Sequence, residues 1–164
     1  MVAISGAEMQ EWVEETSHGW RRLISAHPEI LSFSCDIRET TSVAQLLQHI
    51  VAVELRYAER LNGLAETPYE LIPFDSVESI YATHDRAMEL LRPLMDRDAE
   101  FWDTVLEFQT RSVGTLRATR RTILMHLLTH STRHYAQLAT LTRKQGVPPD
   151  WSMDYLLFAA KRGI

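Results

Sequence analysis

The chain has 164 residues, of which 45% are apolar and 24% charged, and this is the usual size and composition of one globular domain. Its formal charge of −5 argues against a surface built to neutralise nucleic-acid phosphates. The single cysteine, Cys35, excludes an intrachain disulfide, and neither a signal-peptide pattern nor an apolar run of roughly 20 residues is present. We therefore expect one cytoplasmic domain over residues 1–164, with a small-molecule substrate and neither nucleic acid nor membrane as a partner.

Two helices are predicted in the first part of the chain, and each begins at a serine. Ser5 has a glutamate three residues later, which is the spacing of a capping box, and apolar residues then recur at helical spacing until the helix stops before Pro28. Ser42, with a glutamine three residues on, caps the second helix in the same way, and Asn62-Gly63 is a suitable C-terminal stop. A loop is expected between the two helices.

The middle of the chain contains a third predicted helix and a segment of weak helical character. Asp75 is the predicted cap of the third helix, and Pro93 lies late in it, where proline kinks or ends a helix. Residues 104–118 are the least helical part, because β-prone residues flank the segment Ser112–Gly114. This segment is predicted to form either a short hairpin or an irregular crossing.

A long fourth helix and a short fifth helix complete the predicted elements. Thr119 caps the fourth helix, which runs to Gln145 and is ended by Gly146. Asp150 is the predicted cap of a short C-terminal helix that extends to about Lys161. The sequence therefore predicts an all-α fold, an antiparallel four-helix bundle with connections longer than those of an ideal up-down bundle.

The fourth helix carries three histidines at intervals of four residues: His126, His130 and His134. Neighbours in such a series stack on one face of a helix, and two imidazoles one turn apart can reach one metal ion at about 2.0–2.1 Å. Taking Ile123 as the centre of the apolar stripe, His130 and His134 flank that stripe, whereas His126 lies nearer the polar edge. A buried imidazole needs partners for both nitrogens, and a shared metal ion would serve two of them.

A third ligand is expected from a facing helix, and His49 on the second helix is the best candidate because it borders the apolar stripe of that helix. Gln137 can bond a ligand ring, and the hydroxyls of Tyr57 and Tyr135 can point at the site. The alternative is a set of core histidines, each bonded to ordinary protein groups.

Glu54 and His84 also fall on predicted apolar faces. A carboxylate at position 54 is costly unless paired. It could orient a ligand histidine or act as a catalytic base, or it could form a buried ion pair with an arginine such as Arg22 or Arg121. His84 is interpreted as a core histidine, with a fourth metal ligand and a catalytic base as alternatives.

The segment His126–Gln137, HLLTHSTRHYAQ, resembles the signature of the DinB/YfiT-like metal-binding bundles. The second helix, with His49 followed by Glu54 and the aromatic Tyr57, is similar to the same family. The order of elements fits across nearly the whole chain, with one histidine on the second helix and a pair on the fourth. Members of the family often carry a further histidine where this chain has Arg133.

This resemblance implies that His49, His130 and His134 bind a divalent ion, often nickel or zinc, with water in the open positions. It also implies a homodimer, and chemistry in which a low-molecular-weight thiol takes part in S-transfer or isomerisation of a small electrophile. Three protein ligands leave coordination positions open, which is typical of a catalytic site. A metal-dependent hydrolase and a non-enzymatic stress-related bundle with a structural metal are the alternatives. A solvent-connected pocket above the metal favours an enzyme, and a sealed site favours a structural role.

Overall fold

The computed structural model describes residues 4–110 and 113–164, and most of these residues are helical. The α-helices are α1 (Gly6–Ala26), α2 (Val43–Leu61), α3 (Val77–Leu91), α4 (Ala99–Asp103), α5 (Arg120–Lys144) and α6 (Tyr155–Arg162). The strands β1 (Val105–Thr110) and β2 (Gly114–Thr119) lie between α4 and α5. Short 3₁₀ turns occupy Pro28–Ser32, Ile37–Glu39, Tyr69–Leu71 and Arg92–Leu94. The predicted fourth helix is α5, and α4 is an additional short helix.

Side-chain caps begin the first two helices at the predicted residues. The Ser5 hydroxyl accepts a bond from the backbone N–H of Glu8, and the Glu8 carboxylate accepts one from the backbone N–H of Ser5, so the capping box is complete. The Ser42 hydroxyl accepts from the backbone N–H of Gln45 at 3.3 Å. The Gln45 amide oxygen, however, accepts from the backbone N–H of Thr41, so α2 has a serine cap without the reciprocal bond.

Two predicted helix starts are wrong. The cap of α3 is Ser76 rather than Asp75, because the hydroxyl of Ser76 reaches the backbone N–H of Ser79 at 3.1 Å. The last helix starts after Asp154 rather than Asp150, so it is shorter than predicted. In both places two potential caps lie close together in the sequence, and spacing alone does not choose between them.

The segment with the weakest helical character in the sequence forms a β-hairpin. Strands β1 and β2 are antiparallel, with Val105 opposite Thr119 and Thr110 opposite Gly114, which confirms the hairpin alternative. Ser112, part of the predicted turn, lies outside the described residues. Gly114 has a φ of 77°, a left-handed conformation that glycine adopts without a side-chain clash.

The four long helices share a core that is divided into two apolar clusters. Helix α2 packs against α3 and α5, and α1 packs against the same two helices. Buried residues of the first cluster include Trp20, Leu46, Ile80 and Leu138, and those of the second include Val13, Leu61, Leu91 and Ile123. Along the chain, α1 and α5 run from the second cluster to the first, whereas α2 and α3 run from the first to the second. The neighbours α2 and α3 are therefore parallel, unlike the antiparallel succession that was predicted, and residues 62–76 make the return connection.

A layer of buried polar side chains separates the two apolar clusters. Ser17 of α1, Glu54 of α2, His84 of α3 and Ser131 of α5 each lie between a residue of one cluster and a residue of the other. We call these four residues the polar layer. In the described residues, no helix has both the length and the apolar character that crossing a membrane requires.

Candidate metal site

Helices α2 and α5 bring three histidines together beside the polar layer. Ligating nitrogens of His49, His130 and His134 all lie within 4.8 Å of one another. The Nε2 atoms of His49 and His130 are 3.0 Å apart, and the ring centroids of His130 and His134 are 4.5 Å apart. His130 and His134 are buried, and His49 is half-buried. These are the three residues that the sequence singled out.

The spacing on α5 decides which of its histidines join the group. His130 and His134 lie one turn apart on the same side as Leu127 and Leu138, which are fully buried. His126 lies a further turn away and is exposed, with its ring centroid 5.5 Å from that of His130. Its place at the polar edge of α5 keeps it outside the group of three, as the helical spacing predicts.

One of the three rings is held by a specific hydrogen bond. The Nδ1 of His134 lies 2.7 Å from the amide oxygen of Gln137, so Nδ1 carries the proton and donates it. The Nε2 of His134 then carries a lone pair that can accept a hydrogen bond. The Arg133 guanidinium lies 3.3 Å from that Nε2 and donates to it. Gln137 thus orients a ring of the group, as the sequence indicated.

Burial keeps two of these imidazoles, those of His130 and His134, neutral. Burial lowers the pKa of His130 to about 2, and the neighbouring His134 and His49 rings act in the same direction. Burial also lowers the pKa of His134, with Arg133 contributing, although the bond to Gln137 opposes the shift. A metal ion binds the neutral imidazole, so His130 and His134 have the protonation state that it requires at neutral pH. Arg133 would give up its bond to the Nε2 of His134 when an ion binds there.

The donor set fits a divalent transition-metal ion. Three imidazole nitrogens suit zinc, nickel, copper or iron better than magnesium or calcium, which prefer oxygen ligands. Ligand nitrogens placed tetrahedrally at 2.0–2.1 Å from an ion are about 3.3 Å apart. The observed 3.0 Å between two Nε2 atoms is close to that spacing, and the 4.8 Å limit for the whole group exceeds it by about 1.5 Å. Small side-chain movements would therefore suffice to place three nitrogens around one ion.

The histidine group opens onto a large cavity. A cavity of about 1160 Å³ is lined by His49 and His130, by Arg133 and by hairpin residues that include Thr110 and Leu116. A smaller cavity of about 500 Å³ reaches His134 from the other side. Arg133 and Arg38 line both cavities. Arg38 lies in the connection before α2 and has a left-handed backbone conformation, with a φ of 57°. The site is therefore connected to solvent rather than sealed.

A comparison with known protein families matches residues 4–162, essentially the whole chain, to the DinB family. This chain belongs to the DinB family. No curated protein matches it. The family assignment and the grouping of three histidines agree, since DinB-like proteins are metal-binding and the DinB-family resemblance placed the ligands at His49, His130 and His134.

Glu54 of this DinB-family chain lies in the core and bonds to two other members of the polar layer. Its carboxylate is fully buried and lies 2.7 Å from the Nδ1 of His84, and it accepts a bond from the Ser131 hydroxyl at 2.7 Å. The suggested ion pair with Arg22 or Arg121 is wrong, since the partner is His84. Burial disfavours the charge on His84, but the carboxylate of Glu54 outweighs it and raises the pKa of His84. At pH values below this raised pKa, the two residues form a buried ion pair.

The other candidate residues lie either in the core or at the wall of the large cavity. His84 is 1% exposed, and its bond to Glu54 agrees with the core interpretation. Tyr135 is also in the core, where its hydroxyl lies 3.1 Å from that of Ser17, so it does not point at the site. Tyr57 does line the large cavity.

Sequence reasoning overlooked a stripe of basic residues on α2. Arg56 and Arg60 follow His49 by seven and eleven residues, and both line the same cavity. At about 100° per residue, these positions fall within about 20° of His49 around the helix. The helical periodicity could have found them, but charged residues on a helix surface are usually solvated, and nothing in the sequence shows that this face borders a cavity.

Proposed function

We propose that this chain is a metal-dependent enzyme built on a four-helix bundle, and that it transfers a low-molecular-weight thiol to a small electrophile or uses one to isomerise it. The observation that carries the proposal is a group of three imidazoles, two of which, those of His49 and His130, line an open cavity of about 1160 Å³. A closed structural site would have four protein ligands and no cavity above them. The cavity has the volume of a small-molecule site and combines aromatic with polar side chains.

The protein groups would hold and align the reactants. His49, His130 and His134 would bind a nickel or zinc ion, and the bond from His134 to Gln137 fixes one ring in the orientation needed. When bound, the ion would favour the thiolate over the thiol, so that a nucleophilic sulfur is available at neutral pH. In a transfer, sulfur forms a bond to carbon while the leaving group departs with its electron pair and the thiol proton passes to solvent.

Metal analysis of purified variants tests the site. We expect the wild type to hold close to one equivalent of zinc or nickel, and His130→Ala to lose most of it because one of three ligands is removed. His126→Ala is the matched control, since this histidine lies one turn away on the same helix and outside the group. Equal metal content in the wild type and His130→Ala would refute the assignment.

Activity measurements separate the possible reactions. Zinc- and nickel-loaded protein would be incubated with cysteine or glutathione and the electrophile 1-chloro-2,4-dinitrobenzene, and thioether formation followed by absorbance. Loss of the activity in His130→Ala but not in His18→Ala, which changes an exposed histidine of α1 outside the cavity lining, supports thiol transfer. Hydrolysis of ester or amide probes without any thiol dependence would favour the hydrolase, and a metal-loaded protein inactive in all assays would favour a structural role for the ion.

We propose further that the protein is a cytoplasmic homodimer. The described part of the chain has one cysteine, Cys35, which is free and buried, and a free thiol is usual in a reducing compartment. Leu156 and Leu157 of α6 are both exposed, so this helix offers an apolar surface that a second copy could cover. Sedimentation equilibrium of the wild type and of Leu156→Glu/Leu157→Glu would test the dimer.

A further inference from the structure

We propose that Arg56 and Arg60 form an anion subsite, which binds a carboxylate of the ligand while the other end of that ligand reaches the histidine group. This inference rests on the proposed function, because it names the class of molecule that the same cavity would take. The ligand class is a small, elongated acid, with a carboxylate distant from its reacting end.

The first observation is a surplus of positive charge on the cavity wall. Arg56 and Arg60 both pair with a single carboxylate, that of Glu66. The Nε of Arg56 and the Nη1 of Arg60 are buried and have no hydrogen-bond partner among the residues that the structure describes. Buried donors without acceptors are costly, and two guanidinium groups carry one more charge than the carboxylate neutralises. A carboxylate in the cavity, which both side chains line, would neutralise the remaining positive charge.

The second observation is that Arg60 is held in place before any ligand arrives. Its side chain is only 8% exposed, and its guanidinium lies 4.4 Å from the ring centroid of Tyr57 and 4.0 Å from that of Phe108. The two rings come from α2 and β1, so the hairpin packs over the arginine. A guanidinium fixed between two rings loses little conformational entropy when it binds an oxyanion, and its planar fork matches a carboxylate.

The third observation is the distance between this pair and the histidine group. Arg56 lies seven residues beyond His49 on α2, which corresponds to about 10 Å along the helix axis. Arg60 lies one further turn away on the same face. A single cavity contains all three residues, so one ligand can contact the histidines with one end and the arginines with the other.

The charge of the cavity as a whole favours an acid. Among the described residues, four arginines line it against two carboxylates, and the surplus stands out in a chain whose formal charge is −5. A cavity wall with one sign of charge raises the local concentration of the opposite ion. The arginines are Arg38, Arg56, Arg60 and Arg133, and the carboxylates are Glu39 and Glu66.

Calorimetric titration with two linear acids of equal carbon number tests the subsite. Suberate carries a carboxylate at each end, and octanoate carries one, so the ratio of their affinities reports the second carboxylate. We expect zinc-loaded wild type to bind suberate at least about tenfold more tightly than octanoate, a ratio typical of one charge-assisted contact. The ratio should fall towards one in Arg56→Gln and in Arg60→Gln. It should rise in Glu66→Gln, which removes the competing carboxylate.

Arg86→Gln is the matched control, because Arg86 is an exposed arginine on α3 that does not line the cavity. Circular dichroism checks that each variant is folded. If Arg60→Gln does not fold, Arg56→Gln alone provides the test. An unchanged ratio in Arg56→Gln and Glu66→Gln, or no preference for suberate in the wild type, would overturn the subsite. The same titration with metal-free protein distinguishes the failure of the subsite from the failure of the proposed function. If suberate binding depends on the arginines but the protein takes up no metal, the subsite is supported and the proposed function is refuted.

Discussion

Replacing Glu54 with leucine should destabilise the chain strongly, and replacing Glu54 and His84 together should restore much of the loss. The two side chains are 0% and 1% exposed and lie 2.7 Å apart in the core. Glu54→Leu leaves a buried imidazole without its partner, and His84→Leu leaves a buried carboxylate whose remaining bond is from Ser131. The double variant removes both charges and replaces them with apolar groups.

The magnitudes follow from the cost of an unpaired buried charge. Removing one partner of a buried ion pair typically costs about 3–5 kcal/mol, whereas replacing both with apolar residues is often neutral. For a chain of this size, each kcal/mol lowers Tm by about 2–4 °C, so each single variant should lose about 6–20 °C. Ser131 keeps a bond to the backbone oxygen of Leu127 in the double variant, which limits the cost there.

Urea unfolding of the wild type, both single variants and the double variant gives the coupling energy directly. Asp103→Asn is a suitable control, since the Arg121–Asp103 pair joins α5 and α4 on the surface with both side chains about three-fifths exposed. Such a pair contributes less than about 1 kcal/mol. If the losses in the two single variants simply add in the double variant, Glu54 and His84 do not act as a pair and the reasoning fails.

Two further predictions concern packing and pH. Gly19→Ala would place a Cβ 2.2 Å from Trp151, so we expect Trp151 to be displaced, unfolding free energy to fall by about 1–3 kcal/mol and tryptophan emission to shift to longer wavelength. Gly6→Ala is its control, because the nearest atoms there are ends of flexible side chains at 3.2 Å, and equal losses in the two variants would contradict the packing argument. The raised pKa of His84 means that its contribution to stability is complete below about pH 6.5 and is lost as the pH rises through the folded-state pKa. The unfolding free energy of the wild type should therefore fall above pH 6.5 relative to that of Glu54→Leu/His84→Leu. If the difference in unfolding free energy between the two proteins stays constant from pH 6.5 to pH 9, the ion pair is refuted.

The features that depend on neighbouring residues could be predicted from the sequence. The serine caps of α1 and α2, the length of α5 and the hairpin all follow from local hydrogen bonding and residue preference. The grouping of His130 and His134 is also local, since one helical turn separates them. His49 could be predicted as their neighbour if the apolar stripe of α2 packs against α5. The structure shows that α2 and α5 are in contact.

The features that depend on tertiary contacts could not be predicted in the same way. The parallel arrangement of α2 and α3 depends on the path of the connection between them, and periodicity carries no information about helix direction. The partner of Glu54 belongs to a helix about 30 residues further along, and arginines were equally reasonable partners for a buried carboxylate. The role proposed for Arg60 depends on Phe108 of the hairpin, which packs over it only in the folded chain.

The polar layer also constrains how the helices can be aligned along their axes. Sliding α2 by one turn, about 5.4 Å, would bring Ile50 or Ala58 opposite His84 and carry Glu54 into an apolar cluster. Purely apolar helix faces tolerate such sliding, because one leucine resembles the next, whereas a lone carboxylate among hydrocarbon side chains does not. Compact states in which a helix is misaligned are therefore penalised. As a result, His49 on α2 and the pair His130 and His134 on α5 are brought to the same height each time the chain folds.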